Sequence, residues 1–300
     1  MLLINKYQKN YAILQRNLLF FACCLIINLT MQSENITETN KEKRPLKILV
    51  VVSFFPPQSG TAVLNQITGL IDRGHDVWIY SKKRGNLELS HPDMIKYNLL
   101  ERSYFHSDLK RKLDNLPPDL STFDIIYCQF GYRGNEFLKE KENQQLKAKL
   151  ITCFRGADLS KHVKTNPHKY DLLLQKGDLF LPVCKAFKNR LISLGAHPEK
   201  IIVHPSAIDC KKFSFKPRTL EAGETIKIVT VCRLIEKKGL VYAIHAIERL
   251  VRKNKNVTYD IIGFGPMEQE LETLIQRLGI QNNIHLVGRA SEDEVAEILD

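Results

Sequence analysis

The chain has 300 residues, 44% hydrophobic and 26% charged, the balance of a soluble globular protein long enough for two domains. Its formal charge of +11 is spread along the sequence without an Arg-rich tract or basic–aromatic alternation. That pattern argues against nucleic acid as a partner and favours an anionic membrane face or a phosphorylated substrate. Seven cysteines (Cys23, Cys24, Cys128, Cys153, Cys184, Cys210 and Cys232) show no Cys-x-x-Cys and mostly fall in apolar, strand-like contexts, as reduced thiols of a cytosolic protein do.

Residues 1–45 read as a leader outside the fold. Lys6, Lys9 and Arg16 precede an apolar run from Leu18 to Leu29, the order of a signal peptide. No small-x-small site follows, and the run is shorter than the roughly 20 residues that span a bilayer. Three readings are ranked: a start codon assigned too early, with Met31 nearer the true one; a peripheral membrane anchor; and a secretory signal. The Asn-x-Thr triplets at Asn28, Asn35 and Asn256 are chance matches unless the third holds.

From Leu46 the pattern becomes regular. Lys47–Ser53 is a β-branched strand, Phe54–Gly60 a Pro-Pro-containing loop, Thr61–Arg73 a helix closed by Gly74, and Asp76–Tyr80 a second strand. Gly60 sits where the first strand delivers its loop to a helix N-terminus. His75 reads as a capping or packing residue. Residues Lys82–Thr122 are irregular and basic. Asp124–Gln129 resumes the sheet, and Gln129 at its end can only form neutral hydrogen bonds. Lys149–Phe154 is the next strand, with the loop Arg155-Gly156-Ala157-Asp158 after it. Two further strands, Leu179–Val183 and Ile201–His204, flank a helix over Lys185–Leu194. His204, beside Pro205, reads as structural. The polar stretch Lys211–Thr225 is a linker, so the domains are 46–205 and 206–300.

In the second domain Ile226–Cys232 is a strand that empties into a basic loop carrying Arg233 and Lys238. A helix over Leu240–Arg252, a strand over Thr258–Ile262, the turn Gly263-Phe264-Gly265-Pro266 and a strand over Ile284–Gly288 follow. Ser291 and Glu294 form a capping box for a last helix. Ligands of open α/β sheets bind at the carboxyl ends of the strands, where helix N-termini also point. Two cations there make a diphosphate site; the plainer reading is a solvated basic loop. Gly263 and Gly265 let backbone approach a ligand closely.

Taken together, Arg-Leu-x-x-x-Lys-Gly at 233–239, Gly-x-Gly-Pro at 263–266 and the strand Ile284–Gly288 resemble the donor-binding domain of the retaining glycosyltransferases of family 4. Phe55-Pro56 with Leu64–Val77 resembles the N-terminus of that family's colanic-acid-type exopolysaccharide enzymes. The resemblance implies an α/β fold of the GT-B type, two facing Rossmann-like domains, with the second incomplete. It also implies transfer of a sugar, with retention of configuration, from a nucleotide sugar to a lipid-linked or exopolysaccharide glycan. Arg233 and Lys238 would hold the donor diphosphate, with Gly263, Gly265 and Gly60 beside the donor. At Gly60 a glycine needed only for the turn is the equal alternative. Gln129 would face the acceptor, where the family has His.

Arg155 and Asp158 occupy the family's His-Gly-x-Asp loop, near the transferred sugar. An arginine cannot act as a general base, but it could hold an acceptor phosphate or offset the leaving diphosphate. An Arg155–Asp158 ion pair closing the loop is the plainer alternative. Cys232 and Ala207 replace glycines usual in the family. No cofactor or metal is implied, and no Asp-x-Asp occurs. The implied setting is the cytoplasm or the inner membrane's surface, with peripheral contact to anionic lipid and none to nucleic acid. A sugar-nucleotide epimerase shares the scaffold, and a dehydrogenase is disfavoured because the first strand lacks Gly-x-Gly-x-x-Gly. The third rival is a truncated remnant. The sequence reaches Asp300 before the family's Glu-x7-Glu segment, so the second domain is expected to be marginal and the 300 residues inactive.

Overall fold

Aliphatic residues that alternate between two buried faces make a central parallel strand, and β1 (Lys47–Phe55) is one. Ile48, Val50 and Val52 enter one apolar cluster; Leu49 and Val51 enter another on the opposite face. The computed structural model describes residues 44–57, 61–87, 91–106, 119–210, 212–253 and 256–299. Nearly all of the leader, together with Gly60, lies outside the described residues.

The chain divides between Ala207 and Ile208, two residues beyond the expected boundary. In the first unit β1 pairs in parallel with β2 (Asp76–Arg84) on one side and β4 (Ile125–Gln129) on the other. The full order is β3-β2-β1-β4-β5-β6, with β3 at Ser103–Phe105, β5 at Lys149–Phe154 and β6 at Leu179–Pro182. This is the doubly wound order, whose direction reverses between β1 and β4, so a crevice opens at their carboxyl ends. Helix α1 (Thr61–Ile71) covers one face through Leu64, Ile67 and Leu70. His75 serves packing: its Nδ1 accepts the Leu46 N–H at 3.3 Å. A four-residue helix, α2 (Asp93–Lys96), precedes β3.

Helix α3 (Gly131–Asn143) covers the other face and was not marked by an apolar stripe. Two glycines in its first turn disfavour a helix by propensity. Packing reverses that preference, because a Cβ on Gly131 would lie 2.5 Å from the Phe154 ring and one on Gly134 2.5 Å from Thr152 Oγ1. The helix can therefore lie close on β5. Short helices α4 (Lys161–Thr165) and α5 (Asp171–Lys176) follow, then α6 (Lys185–Ser193). The expected strand at Ile201–His204 is a single bridge from Ile201 to Phe180, continued by His204 N–H donating to Pro182 at 2.8 Å. Cys128 and Cys153 are buried, Cys184 and Cys232 are half-buried and Cys210 is exposed.

The second unit has a three-stranded parallel sheet, β7 (Ile226–Val231), β8 (Val257–Ile262) and β9 (Ile284–Gly288), in that order. Its core gathers Leu240, Ile244 and Ile247 of α7 (Leu240–Arg252) with Leu271, Leu274 and Ile275 of α8 (Glu268–Leu278). Among the described residues β7 has a neighbour on one side only. The capping box forms: Ser291 Oγ accepts the Glu294 N–H at 3.2 Å and the Glu294 carboxylate accepts that of Ser291 at 2.6 Å, opening α9 (Glu292–Leu299).

Gly134→Ala is expected to destabilise the first unit by about 1–3 kcal/mol through overpacking against Thr152 and Leu173. Urea unfolding followed by the fluorescence of Trp78, the single tryptophan, measures it.

Candidate functional site

The carboxyl edge of the first sheet is organised by a buried carboxylate. Asp158 is fully buried, and its oxygens accept the backbone N–H groups of Gly131 (3.3 Å), Arg155 (3.2 Å), Gly156 (2.7 Å) and Leu159 (3.1 Å). Those bonds tie the start of α3 to the loop after β5. The alternative Arg155–Asp158 ion pair is replaced by a main-chain bond, and the carboxylate, spent on the backbone, positions the loop. Asp158 is thus a positioning residue, with no face open to a reacting group.

The Arg155 side chain turns to neutral partners. Its Nε donates to Gln129 Oε1 at 2.9 Å, one terminal nitrogen to Gln66 Oε1 at 2.8 Å and the other to Ser206 Oγ at 3.4 Å. Gln66 Oε1 also accepts from Tyr127 Oη at 3.0 Å and Gln129 Nε2 at 3.2 Å. Four elements, α1, β4, the β5 loop and the segment after β6, thus converge on one guanidinium. His204 lies in its field: burial, and then the Arg155 charge, lower its pKa to about 4. Gln66, Ser206 and His204 were not expected here. Their only sequence signal is position, since each follows or faces a strand end.

Beside this cluster Arg133 Nε donates to Ser53 Oγ at 3.1 Å, and Ser53 also bonds Tyr132 Oη at 3.2 Å. Phe130 stacks on Tyr132 with ring centroids 5.4 Å apart. Phe130 holds φ +82°, a conformation costly for any residue with a Cβ, as strand β4 turns into α3.

In the second unit Leu234 is buried and anchors the loop after β7 in the core, which leaves Arg233 and Lys238 exposed on either side of it. Neither side chain forms a hydrogen bond or ion pair with any described residue. Lys238 lies close enough to the Cys232 thiol to oppose the upward pKa shift that burial gives it. Gly239, at φ +68°, then opens α7 with no side-chain cap. Gly263 and Gly265 are required by packing, since a Cβ on either would collide with the Cys232 or Leu234 carbonyl. Leu234 N–H donates to Phe264 O at 2.9 Å and Met267 N–H to Leu234 O at 3.2 Å. The glycines thus bring two strand-end loops together. Arg289, just beyond β9, lies over the Phe264 ring at 3.4 Å from its centroid and adds a third cation to this edge.

Residues 211–300 match the family described as Glycosyl transferases group 1. The putative colanic acid biosynthesis glycosyltransferase WcaL of Escherichia coli K12 is 31% identical over 290 residues, covering 82% of this chain and 71% of that protein. The chain belongs to the group 1 glycosyltransferases. The amylovoran biosynthesis glycosyltransferase AmsK of Erwinia amylovora is 30% identical, with 85% and 73% of the two chains covered. Among solved structures, Anabaena HepE in complex with UDP superposes with a TM-score of 0.62 at 15% identity, over 82% of this chain and 70% of that one. The lipopolysaccharide glycosyltransferase WaaG superposes at 0.51. The fold of this glycosyltransferase is therefore GT-B.

Acid should weaken the first unit of the glycosyltransferase through His204. In the unfolded chain this ring takes up a proton near pH 6.5, but the folded protein resists until about pH 4. Stability therefore falls as pH drops through that window, by at most about 3 kcal/mol, reduced by the ring's remaining access to water. Trp78-monitored urea unfolding at pH 7 and pH 4.5 is expected to show a smaller loss in His204→Gln than in the parent.

Proposed function

We propose that this glycosyltransferase moves a sugar from a nucleoside-diphosphate donor to a lipid-linked exopolysaccharide intermediate, with retention of configuration. The observation that carries the donor assignment is the pair of unpartnered cations at the end of β7. Cations left without carboxylate partners beside an uncapped helix N-terminus suit a diphosphate. The names of the relatives, colanic acid in one case and amylovoran in another, support an exopolysaccharide product. The UDP held by HepE supports a nucleotide donor.

In this reading the bond between the anomeric carbon and the diphosphate breaks, and the electron pair leaves with the diphosphate. Arg233, Lys238 and the N-terminus of α7 offset its growing charge. The acceptor hydroxyl bonds the same face of the sugar and passes its proton to the departing diphosphate. Gln129 and Arg155, at the crevice of the first unit, orient the acceptor. No helix among the described residues is long and apolar enough to cross a membrane. In this reading a lipid-linked acceptor is met at a membrane surface, and the basic chain suits an anionic face.

Arg233→Ala and Lys238→Ala are each expected to weaken UDP binding roughly tenfold or more, the loss of one charge-assisted hydrogen bond of about 1.5–3 kcal/mol. Isothermal titration with a panel of nucleoside diphosphates tests this. Equal affinity in parent and variants would sink the donor assignment.

A further inference from the structure

We propose that Arg155 forms a second anion site, on the first unit and distinct from the Arg233–Lys238 pair. It takes the phosphate or diphosphate group of the acceptor, and Gln66 is the residue that positions it. The inference rests on the glycosyltransferase reading for the identity of the acceptor, though not for the site itself.

Arg155 is half-buried, yet no described carboxylate forms an ion pair with it. Its side-chain partners are the oxygens of Gln129, Gln66 and Ser206, all neutral. The carboxylate nearest in sequence, Asp158, is spent on four backbone N–H groups. Other shielded cations of this unit are treated differently. Lys141 and Lys149 meet Asp178 at 2.7 and 3.2 Å, and Arg133 pairs with Glu136. A guanidinium drawn partly out of water and given only dipoles retains most of its charge for a ligand.

Geometry narrows the ligand. Three bonds leave two of the five guanidinium N–H groups unused. A planar fork of this kind suits the oxygens of a phosphate, and it sits at the reversal of strand order where α/β sheets bind ligands. The His204 ring, held neutral under the same field, adds no charge of its own at neutral pH, so the guanidinium is the cation of this cluster.

Gln66 fixes the fork. Three donors, from Tyr127, Gln129 and Arg155, converge on one side-chain atom, which must therefore be the amide oxygen. A carboxylate of the same shape would accept the same three bonds but would also neutralise the arginine. Glutamine at this position holds the guanidinium without cancelling it.

That distinction supplies the test, made on the full chain by calorimetric titration. In an Arg233→Ala/Lys238→Ala background, which lacks the donor pair, inorganic diphosphate is expected to bind one remaining site. Adding Gln66→Glu should weaken that binding by about tenfold or more, and adding Arg155→Gln should abolish it. With the donor pair intact, Gln66→Glu should leave UDP affinity within about twofold of the parent. Absence of diphosphate binding in the background, or unchanged binding on adding Gln66→Glu, overturns the proposal. Equal weakening of UDP and diphosphate by Gln66→Glu would assign Arg155 to the donor and overturn the acceptor assignment. If Arg155→Gln fails to fold, as the Trp78 unfolding signal would report, the near-isosteric Gln66→Glu decides alone. Failure of the donor reading would show separately, as unchanged UDP binding in Arg233→Ala/Lys238→Ala.

Discussion

A carboxylate with no access to water is tolerated only where donors replace its hydration, and Asp158 finds four of them in the backbone around it. The consequences spread along the chain in both directions. The bond to Gly131 holds the first turn of α3 against the β5 loop, which in turn demands glycine at 131 and 134, where any Cβ would strike Phe154 or Thr152. The bonds to Arg155 and Gly156 fix the backbone from which the guanidinium projects. Removing the carboxylate would leave the Gly131, Arg155 and Gly156 N–H groups without this partner, at a cost of up to about 1–3 kcal/mol each. The apolar layers hold the sheet together, and Asp158 decides how its functional edge is shaped.

The two units place charge at corresponding strand ends by different means. In the second, Leu234 anchors a loop whose cations stand in solvent, and the glycines of the next loop let two backbones touch so that Phe264 and Arg289 share the same edge. In the first, Arg155 is drawn inward and fixed by two amides and a hydroxyl. An exposed lysine or arginine keeps its hydration and its freedom until a ligand arrives. A fixed guanidinium has already lost much of both, so an anion placed on it gains more from orientation and loses less entropy.

Elements made of continuous apolar runs were legible in the sequence. β1, β5 and the stretch from β7 to β9 follow from runs of aliphatic residues, and α7 spans the residues its spacing indicates. Three things were hidden, each because the deciding partner is distant. β3 is three residues long and needs β2 beside it to be a strand. Helix α3 has glycines where propensity wants alanine, and only the closeness of β5 explains them. Gln66 is 89 residues from Arg155, so nothing local marks it as more than a polar position on an amphipathic helix. The glycines of Gly263-Phe264-Gly265 were conspicuous, yet their required neighbour, the loop after β7, could be named only once the two strands were seen side by side.

The arginine at 155 also bears on the chemistry. A group that takes a proton from an acceptor hydroxyl works best with a pKa near the working pH. Gln66, Gln129 and Arg155 cannot serve, because two are amides and the third is always protonated. His204 is the one titratable side chain placed in the Arg155 field by the segment after β6, and burial together with that charge makes it a weak base, near pKa 4. The charge of Arg155 therefore helps to disable the imidazole beside it as a base. In the proposed transfer this edge of the first unit holds and orients, and the hydroxyl proton leaves by another route, of which the departing diphosphate, gaining charge as the sugar bond breaks, is the strongest base that the reaction itself supplies.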